Sequence, residues 1–170
     1  TANAQGENKK EKAYIHNKLI QVDSLIADGE YEKAQGIINT TQNTFSFKKD
    51  LESRLEFEFR SAQIMYEKGD SEAAIEKLLT DFDLLKSRPF APLNITYASY
   101  LAKIFANSQN LNKAISYSKL ALNKSMLIKD TVNTTISLIR IGSFYYARKQ
   151  LDSAELYFRK VTYYPVTPKT

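Results

Sequence analysis

Asp28-Gly-Glu-Tyr-Glu-Lys-Ala34 is the first of four similar segments along the chain. The other three are Lys68-Gly-Asp-Ser-Glu-Ala-Ala74, Ser108-Gln-Asn-Leu-Asn-Lys-Ala114 and Arg148-Lys-Gln-Leu-Asp-Ser-Ala154. They align without gaps, and each closing alanine stands 40 residues after the previous one. A period of about 20–50 residues is typical of repeat architectures. The sequence therefore predicts a chain built from four similar units.

Each segment is predicted to be the turn between two helices. Gly29 and Gly69 can adopt the left-handed conformation that ends a helix, and Asn110 tolerates it better than most residues. Nine residues before each alanine lies a large apolar residue, and three residues earlier lies a small one. The large residues are Leu25, Met65, Phe105 and Tyr145, and the small ones are Val22, Ala62, Ala102 and Gly142. Small residues on facing helices allow close approach, which predicts antiparallel hairpins.

The composition agrees with a helical class. Among 170 residues there are only 5 Gly and 4 Pro, and no alternating β-branched stretch is bounded by turn signals. One hairpin cannot bury both of its apolar faces, so successive hairpins are expected to stack. The sequence predicts an all-α fold, an α-solenoid of four antiparallel helix pairs.

The repeat also sets the expected boundaries along the chain. The predicted divisions are a polar N-terminal segment at 1–12, helix pairs at 13–47, 48–92, 93–129 and 130–164, and a tail or linker at 165–170. Arg88-Pro-Phe-Ala-Pro92 separates the second pair from the third, because proline disfavours helix both at its own position and at the residue before it.

The last repeat carries a family resemblance most clearly. It reads Leu138-Ile-Arg-Ile-Gly142-Ser-Phe-Tyr145-Tyr-Ala-Arg-Lys-Gln-Leu-Asp-Ser-Ala154-Glu-Leu-Tyr-Phe158-Arg-Lys-Val161, followed by Pro165. This order of small, aromatic, alanine, aromatic and proline positions resembles the tetratricopeptide repeat family over about residues 13–165. The resemblance implies a right-handed superhelix. The period of 40 exceeds the usual 34 of the family, which implies longer helices or a longer linker.

In that family the first helix of each pair lines a concave groove that holds a polypeptide. The positions that the resemblance assigns to the groove are Arg60, Gln63, Tyr66, Tyr100, Lys103, Asn107, Arg140, Ser143 and Tyr146. Amides and hydroxyls can meet a peptide backbone, tyrosines offer stiff contact area, and cations can pair with carboxylates. We expect an acidic segment or a free C-terminus as ligand. The alternative is that these residues are only the solvated side of the first helices.

Catalytic and cofactor chemistry is not expected from this sequence. There is no cysteine, and His16 is the single histidine, so a metal site or a histidine triad would lack its other members. No glycine-rich phosphate loop occurs. Neighbouring carboxylates such as Glu56 and Glu58 lie two residues apart and do not face each other on a helix. The chain is predicted to be a binding protein without a metal or cofactor, and not an enzyme.

Charge is distributed unevenly along the chain. Residues 1–94 hold 13 Lys/Arg against 16 Asp/Glu, whereas residues 95–170 hold 11 against 3. A basic half can attract an acidic protein or a nucleic acid. The cations are scattered and do not cluster on one helix, which disfavours nucleic acid. A basic nucleic-acid-binding helical repeat is the alternative function.

The sequence gives weak signals about cellular context. Ala2-Asn3-Ala4 matches the A-x-A pattern of a signal-peptide cleavage site, so export to a periplasmic or other outside compartment is slightly favoured and a cytoplasmic location stays open. No apolar run reaches the length of a membrane span. No polar capping helix follows the fourth pair. We expect a segment of a longer signalling protein, such as the sensory region of a bacterial regulator.

Overall fold

A computed structural model describes residues 2–44 and 50–164, with side chains described from residue 9 onward. Within these ranges the backbone forms eight helices and no strand. The helices are α1 (Ala2–Ala27), α2 (Tyr31–Thr44), α3 (Leu51–Glu67), α4 (Ser71–Leu85), α5 (Ala91–Asn107), α6 (Leu111–Leu127), α7 (Thr131–Ala147) and α8 (Leu151–Val161). The all-α class is therefore confirmed. The tail expected at 165–170 and the boundary expected between 47 and 48 lie outside the described residues.

Helix length explains the 40-residue period. Helices α5, α6 and α7 are each 17 residues long, and three-residue turns at 108–110 and 128–130 join them. Two such helices and two such turns make up one period. The residues beyond the usual repeat length therefore extend the helices, and no long linker is present between α5 and α8. At the N-terminus the polar segment expected at 1–12 is helical from Ala2 onward.

The repeat landmarks pack as the sequence predicts. The closing alanines Ala34, Ala74, Ala114 and Ala154 are buried, as are the small residues Val22, Ala62, Ala102 and Gly142 on the preceding helices. A Cβ atom added to Gly142 would lie only 2.6 Å from the ring of Phe158. Helices α7 and α8 therefore approach closely because this position has no side chain.

The turns inside the pairs share one left-handed position. Gly29 and Gly69 have φ of 76° and 96°, and Gln109 and Lys149 occupy the same repeat position with φ of 60° and 59°. The expectation for Asn110 is wrong by one residue. Asn110 instead caps α6, where its side chain accepts a hydrogen bond from the Lys113 N–H at 3.2 Å. An N-cap needs a side-chain acceptor at that place, which asparagine supplies.

Substituting each of two glycines by alanine separates the effect of the left-handed turn on stability from the effect of replacing glycine inside a helix. Gly36 lies inside α2 and Gly69 lies in the turn after α3, and neither has an atom within 4 Å of an added Cβ. We expect Gly36→Ala to raise the free energy of unfolding by about 0.5–1 kcal/mol, because alanine loses less backbone entropy in a helix. Gly69→Ala should lower it by about 1 kcal/mol, because φ of 96° strains an L-residue. Urea unfolding of both variants measures the difference, and a shift of the same sign in both would contradict the account.

The described chain divides into two compact units, residues 1–81 and 82–170. In the first unit, α1, α2 and α3 contact one another around a core that includes Leu19, Val22, Ile38 and Phe57. In the second unit, α5 packs on α6, α6 on α7 and α7 on α8, and α5 also contacts α7. This consecutive packing of antiparallel helices is the arrangement of an α-solenoid.

Candidate functional site

The nine residues predicted to bind a polypeptide are divided between the two units. Arg60, Gln63 and Tyr66 lie on α3 in the first unit. Tyr100, Lys103 and Asn107 lie on α5, and Arg140, Ser143 and Tyr146 lie on α7, all in the second unit.

Arg60 is already engaged by a carboxylate of its own unit. Its Nε and Nη2 atoms donate to the two carboxylate oxygens of Asp23 at 2.7 and 2.8 Å, and Nη1 donates to the Glu56 carbonyl at 2.9 Å. Only 16% of the Arg60 side chain is exposed. A ligand carboxylate would have to displace Asp23. Gln63 and Tyr66, three and six residues further along α3, are half-buried.

Glu56 lies one turn before Arg60 in an acidic surrounding. Burial raises the pKa of Glu56, Arg60 acts in the opposite direction, and the negative charges of Glu52, Asp23 and Asp50 add to the increase. The folded protein therefore holds a proton on this carboxyl more tightly than the unfolded chain does.

The pKa of Glu56 predicts a pH-dependent effect on stability. Because the folded pKa is raised, the stabilising contribution of the protonated carboxyl is lost as pH rises from the ordinary glutamate value through the folded value. Glu56→Gln, which stays neutral, should therefore raise the unfolding midpoint at pH 7 and leave it unchanged at a pH below the ordinary glutamate pKa. Thermal unfolding of both proteins across this window measures it. A gain of equal size at both ends would contradict the assignment.

On α5 the three predicted residues have different environments. Tyr100 is buried, with 9% of its surface exposed, and the Lys103 ammonium lies 5.3 Å from the centre of its ring. Lys103 and Asn107 are exposed. Tyr100 therefore presents little area to a ligand, since its ring packs into the second unit.

Arg140 on α7 differs from Arg60, although both stand at the same repeat position. Its Nη1 donates to the Ser99 carbonyl of α5 at 3.3 Å, and no carboxylate among the described residues pairs with it. Burial lowers the pKa of Arg140. A half-buried guanidinium without an anionic partner is a favourable place for a ligand carboxylate.

Two other predicted residues on α7 are exposed. Ser143 donates its hydroxyl to the Ile139 carbonyl within the helix at 2.9 Å. Tyr146 is 64% exposed. The ring of Tyr146 can therefore supply contact area, whereas the Ser143 hydroxyl is engaged as a donor and remains able to accept.

An exposed apolar stripe on α7 was missed by the sequence reasoning. Val132, Ile136 and Ile139 are 41–46% exposed. Together with Tyr146 they are spaced by four, three and seven residues, which places all four side chains on one side of the helix. Leu138 and Ile141, on another side of α7, form the core. The signal was present in the sequence, because α7 carries more apolar positions than one buried face requires.

Neither a membrane-spanning helix nor a group of metal-ligating side chains is found among the described residues. No described helix has the length and apolar character to cross a membrane. Among the described residues, no three His, Cys, Asp or Glu side chains are grouped as they would be around a metal ion.

Comparison with known proteins supports the fold. No protein-family model matches the sequence, and no curated protein matches it. Among solved structures, the chain is similar to the crystal structure of BtubC (BKLC) from P. vanneervenii, with a TM-score of 0.77 and 16% identity. The match covers 94% of this chain and 65% of that one, so the chain spans slightly under two thirds of its structural neighbour. At this identity the likeness shows the fold alone.

The fold and the comparison together define the class of protein. The chain is an all-α helical-repeat protein with sequential packing of helix pairs, as in an α-solenoid.

Proposed function

We propose that this chain is a protein-interaction module that binds a polypeptide segment on the exposed faces of α5 and α7. The observation that carries the proposal is the apolar stripe of Val132, Ile136 and Ile139 beside the half-buried Arg140. Contiguous exposed apolar area next to polar groups marks interaction sites on soluble proteins. Helical-repeat folds also present extended surfaces of this kind.

The dimensions of the stripe suit a short peptide. Val132 and Tyr146 are 14 positions apart on one helix, which is about 21 Å at 1.5 Å per residue. An extended peptide of about six or seven residues has that length. The proposed ligand combines large apolar side chains for the stripe with one carboxylate for Arg140. It is thus an acidic segment, one of the two ligands expected from the sequence, and it also carries apolar anchors.

The finer family assignment is part of this proposal. The 40-residue period, the buried alanines and the close contact at Gly142 support a tetratricopeptide repeat with lengthened helices. In that family the first helix of each pair lines the binding groove, and α5 and α7 are the first helices of their pairs. We also propose that the module has no catalytic activity.

The proposed context is a longer signalling protein, in which this chain is the sensory region of a bacterial regulator. This part of the proposal depends on analogy with other helical-repeat proteins. Sequencing the gene beyond the codon for Thr170 tests it. A hydrophobic span followed by an output domain is the expected result, and a stop codon at that place would contradict it.

Charge favours a second candidate, a nucleic-acid-binding helical repeat. Residues 82–170, the second unit, contain 13 Lys/Arg against 4 Asp/Glu. A protein that neutralises phosphates loses affinity steeply as salt rises. Titration of fluorescent single-stranded RNA and DNA oligonucleotides at low and high salt therefore distinguishes the two functions. Tight binding with a steep salt dependence would favour nucleic acid over peptide.

A random peptide library displayed on phage tests the proposed function. Selection on the immobilised chain should enrich peptides that contain a large apolar residue and an Asp or Glu. These peptides should fail to bind an Ile139→Asp variant, which places a charge in the apolar stripe. They should still bind a Leu127→Asp variant, whose altered residue is 76% exposed on α6. Equal binding to both variants, or no enrichment, would contradict the proposal.

A further inference from the structure

The corner between α6 and α7 exposes three consecutive large apolar side chains. Met126 and Leu127 end α6, and Ile128 is its C-cap residue. Met126 is 47% exposed, Leu127 is 76% exposed and Ile128 is 41% exposed. Lys129 follows with a left-handed φ of 56°, which turns the chain toward α7. Met126, Leu127 and Ile128 are called the apolar corner below.

The apolar corner is convex. Successive residues of a helix point about 100° apart, so Met126, Leu127 and Ile128 radiate from the end of α6. The buried side of the same turn is formed by Leu122 and Ser125. A partner helix or a rigid groove covers apolar residues that recur every three or four positions on one side. Three radiating side chains instead suit a fluid apolar medium that can close around each of them.

Cations surround the apolar corner. Lys124 lies one turn before Ile128, and Lys129 follows Ile128 directly. Arg88, in the segment before α5, lies at the same end of the second unit, because the turn at 108–110 joins the other ends of α5 and α6. Among the described residues, none of these three cations pairs with a carboxylate.

The carboxylates at this end of the second unit are engaged within the chain. Asp83 pairs with Lys86 at 2.5 Å. The two carboxylate oxygens of Asp130 accept hydrogen bonds from the first turn of α7 at 3.0 and 2.7 Å. Residues 83–90 and 124–130 together contain four Lys/Arg against two Asp/Glu. The net positive charge beside the apolar corner therefore favours an anionic partner.

We propose that the apolar corner inserts into the surface of an anionic phospholipid membrane. Apolar side chains flanked by Lys and Arg are typical of segments that lie at the headgroup boundary. Each cation near a negatively charged leaflet adds attraction, and its aliphatic stem can lie against hydrocarbon while the charge stays in water. A lipid surface is the occupant because it combines fluid hydrocarbon with a layer of negative charge. This contact is separate from the peptide surface on α7 and needs no helix that crosses the bilayer.

A single introduced tryptophan tests the insertion directly, because the chain contains none. With vesicles of phosphatidylcholine and phosphatidylserine, the emission of Leu127→Trp should move to shorter wavelength as the ring leaves water, and lipids brominated in their acyl chains should quench it. Leu151→Trp is the control, since Leu151 is 60% exposed and follows the far end of α7, a helix about 24 Å long at 1.5 Å per residue. Equal responses from the two variants, or no response from either, would overturn the proposal.

Co-sedimentation with the same vesicles measures what each group contributes. Leu127→Ser should weaken binding by about tenfold, because a large apolar side chain is lost from the hydrocarbon. Lys129→Gln and Arg88→Gln should each weaken it by about fivefold, and Leu151→Ser should leave it unchanged. Vesicles of phosphatidylcholine alone should bind the parent at least about tenfold more weakly. Parental binding by Leu127→Ser, with the helical circular dichroism of the parent, would show attraction by charge alone and overturn the insertion.

The same fluorescent variant distinguishes a second copy of this chain from a lipid surface. Without vesicles, the emission of Leu127→Trp should be independent of protein concentration, because the apolar corner then stays in water. A shift to shorter wavelength that grows with protein concentration would identify self-association through this corner and would overturn the assignment to lipid.

Discussion

Replacing Ile141 with alanine is expected to lower the free energy of unfolding by about 2–5 kcal/mol, the range for removing a buried aliphatic side chain. Ile141 is fully buried on α7, where it belongs to a cluster with Ile115, Leu122 and Leu138. This cluster joins α6 to α7 inside the second unit. Truncation removes apolar contacts and leaves a cavity that the packed helices can fill only in part. Chemical unfolding followed by circular dichroism measures the loss.

Ile139 supplies the matched control for Ile141 on the same helix. It is two residues away and 45% exposed, so Ile139→Ala should change the free energy of unfolding by no more than about 0.5 kcal/mol. The two variants delete the same atoms from the same residue type, and only burial differs. Equal destabilisation would mean that the exposed stripe on α7 is part of the core, which would remove the basis of the proposed binding surface.

Replacing Arg140 with glutamine is expected to weaken the binding of an acidic peptide from the phage-displayed library by about tenfold or more. Hydrogen bonds between charged groups contribute about 1.5–3 kcal/mol, and burial at Arg140 limits competition from water. The same loss should follow from exchanging the acidic residue of the peptide for its amide. Combining both changes should add little, because they remove one shared contact.

Arg60 is the control for this prediction, since it occupies the same repeat position two repeats before Arg140. Its guanidinium is held by both carboxylate oxygens of Asp23, so Arg60→Gln should leave peptide affinity within about twofold, which is the small effect expected of a residue outside the contact. Isothermal titration calorimetry with one peptide measures both variants. A larger loss from Arg60→Gln than from Arg140→Gln would contradict the assignment of the carboxylate to Arg140.

The sequence predicted the repeat well because its landmarks act locally. The alanines at 40-residue intervals and the small residues twelve positions before them must be buried wherever two helices of a pair cross, whatever the rest of the chain does. The left-handed turn position was harder to locate when glycine was absent. Gln109 has the left-handed φ and Asn110 caps α6. An asparagine is suited both to a left-handed turn position and to an N-cap, so the sequence alone does not show which of the two Asn110 occupies. The residue at which α6 begins decides it.

The candidate site was less predictable because its properties depend on neighbouring helices. Arg60 and Arg140 look equivalent in the sequence, yet Asp23, 37 residues before Arg60, neutralises one of them. Such a pair depends on the register between α1 and α3, which the repeat pattern does not specify. Tyr100 was expected to face a ligand but is buried, since an aromatic side chain serves either purpose. The exposed stripe on α7 became distinguishable from core only once burial was known.

The proposed function requires that the polypeptide contacts the exposed face of α7. Methyl NMR of isoleucine-labelled protein, titrated with a selected peptide, observes this contact at individual side chains. We expect the methyl signals of Ile136 and Ile139 to shift and to reach saturation. The signals of Ile20 on α1 and Ile128 after α6, which are exposed to a similar degree, should stay in place. Saturable shifts at Ile20 or Ile128 with Ile136 and Ile139 unchanged would contradict it.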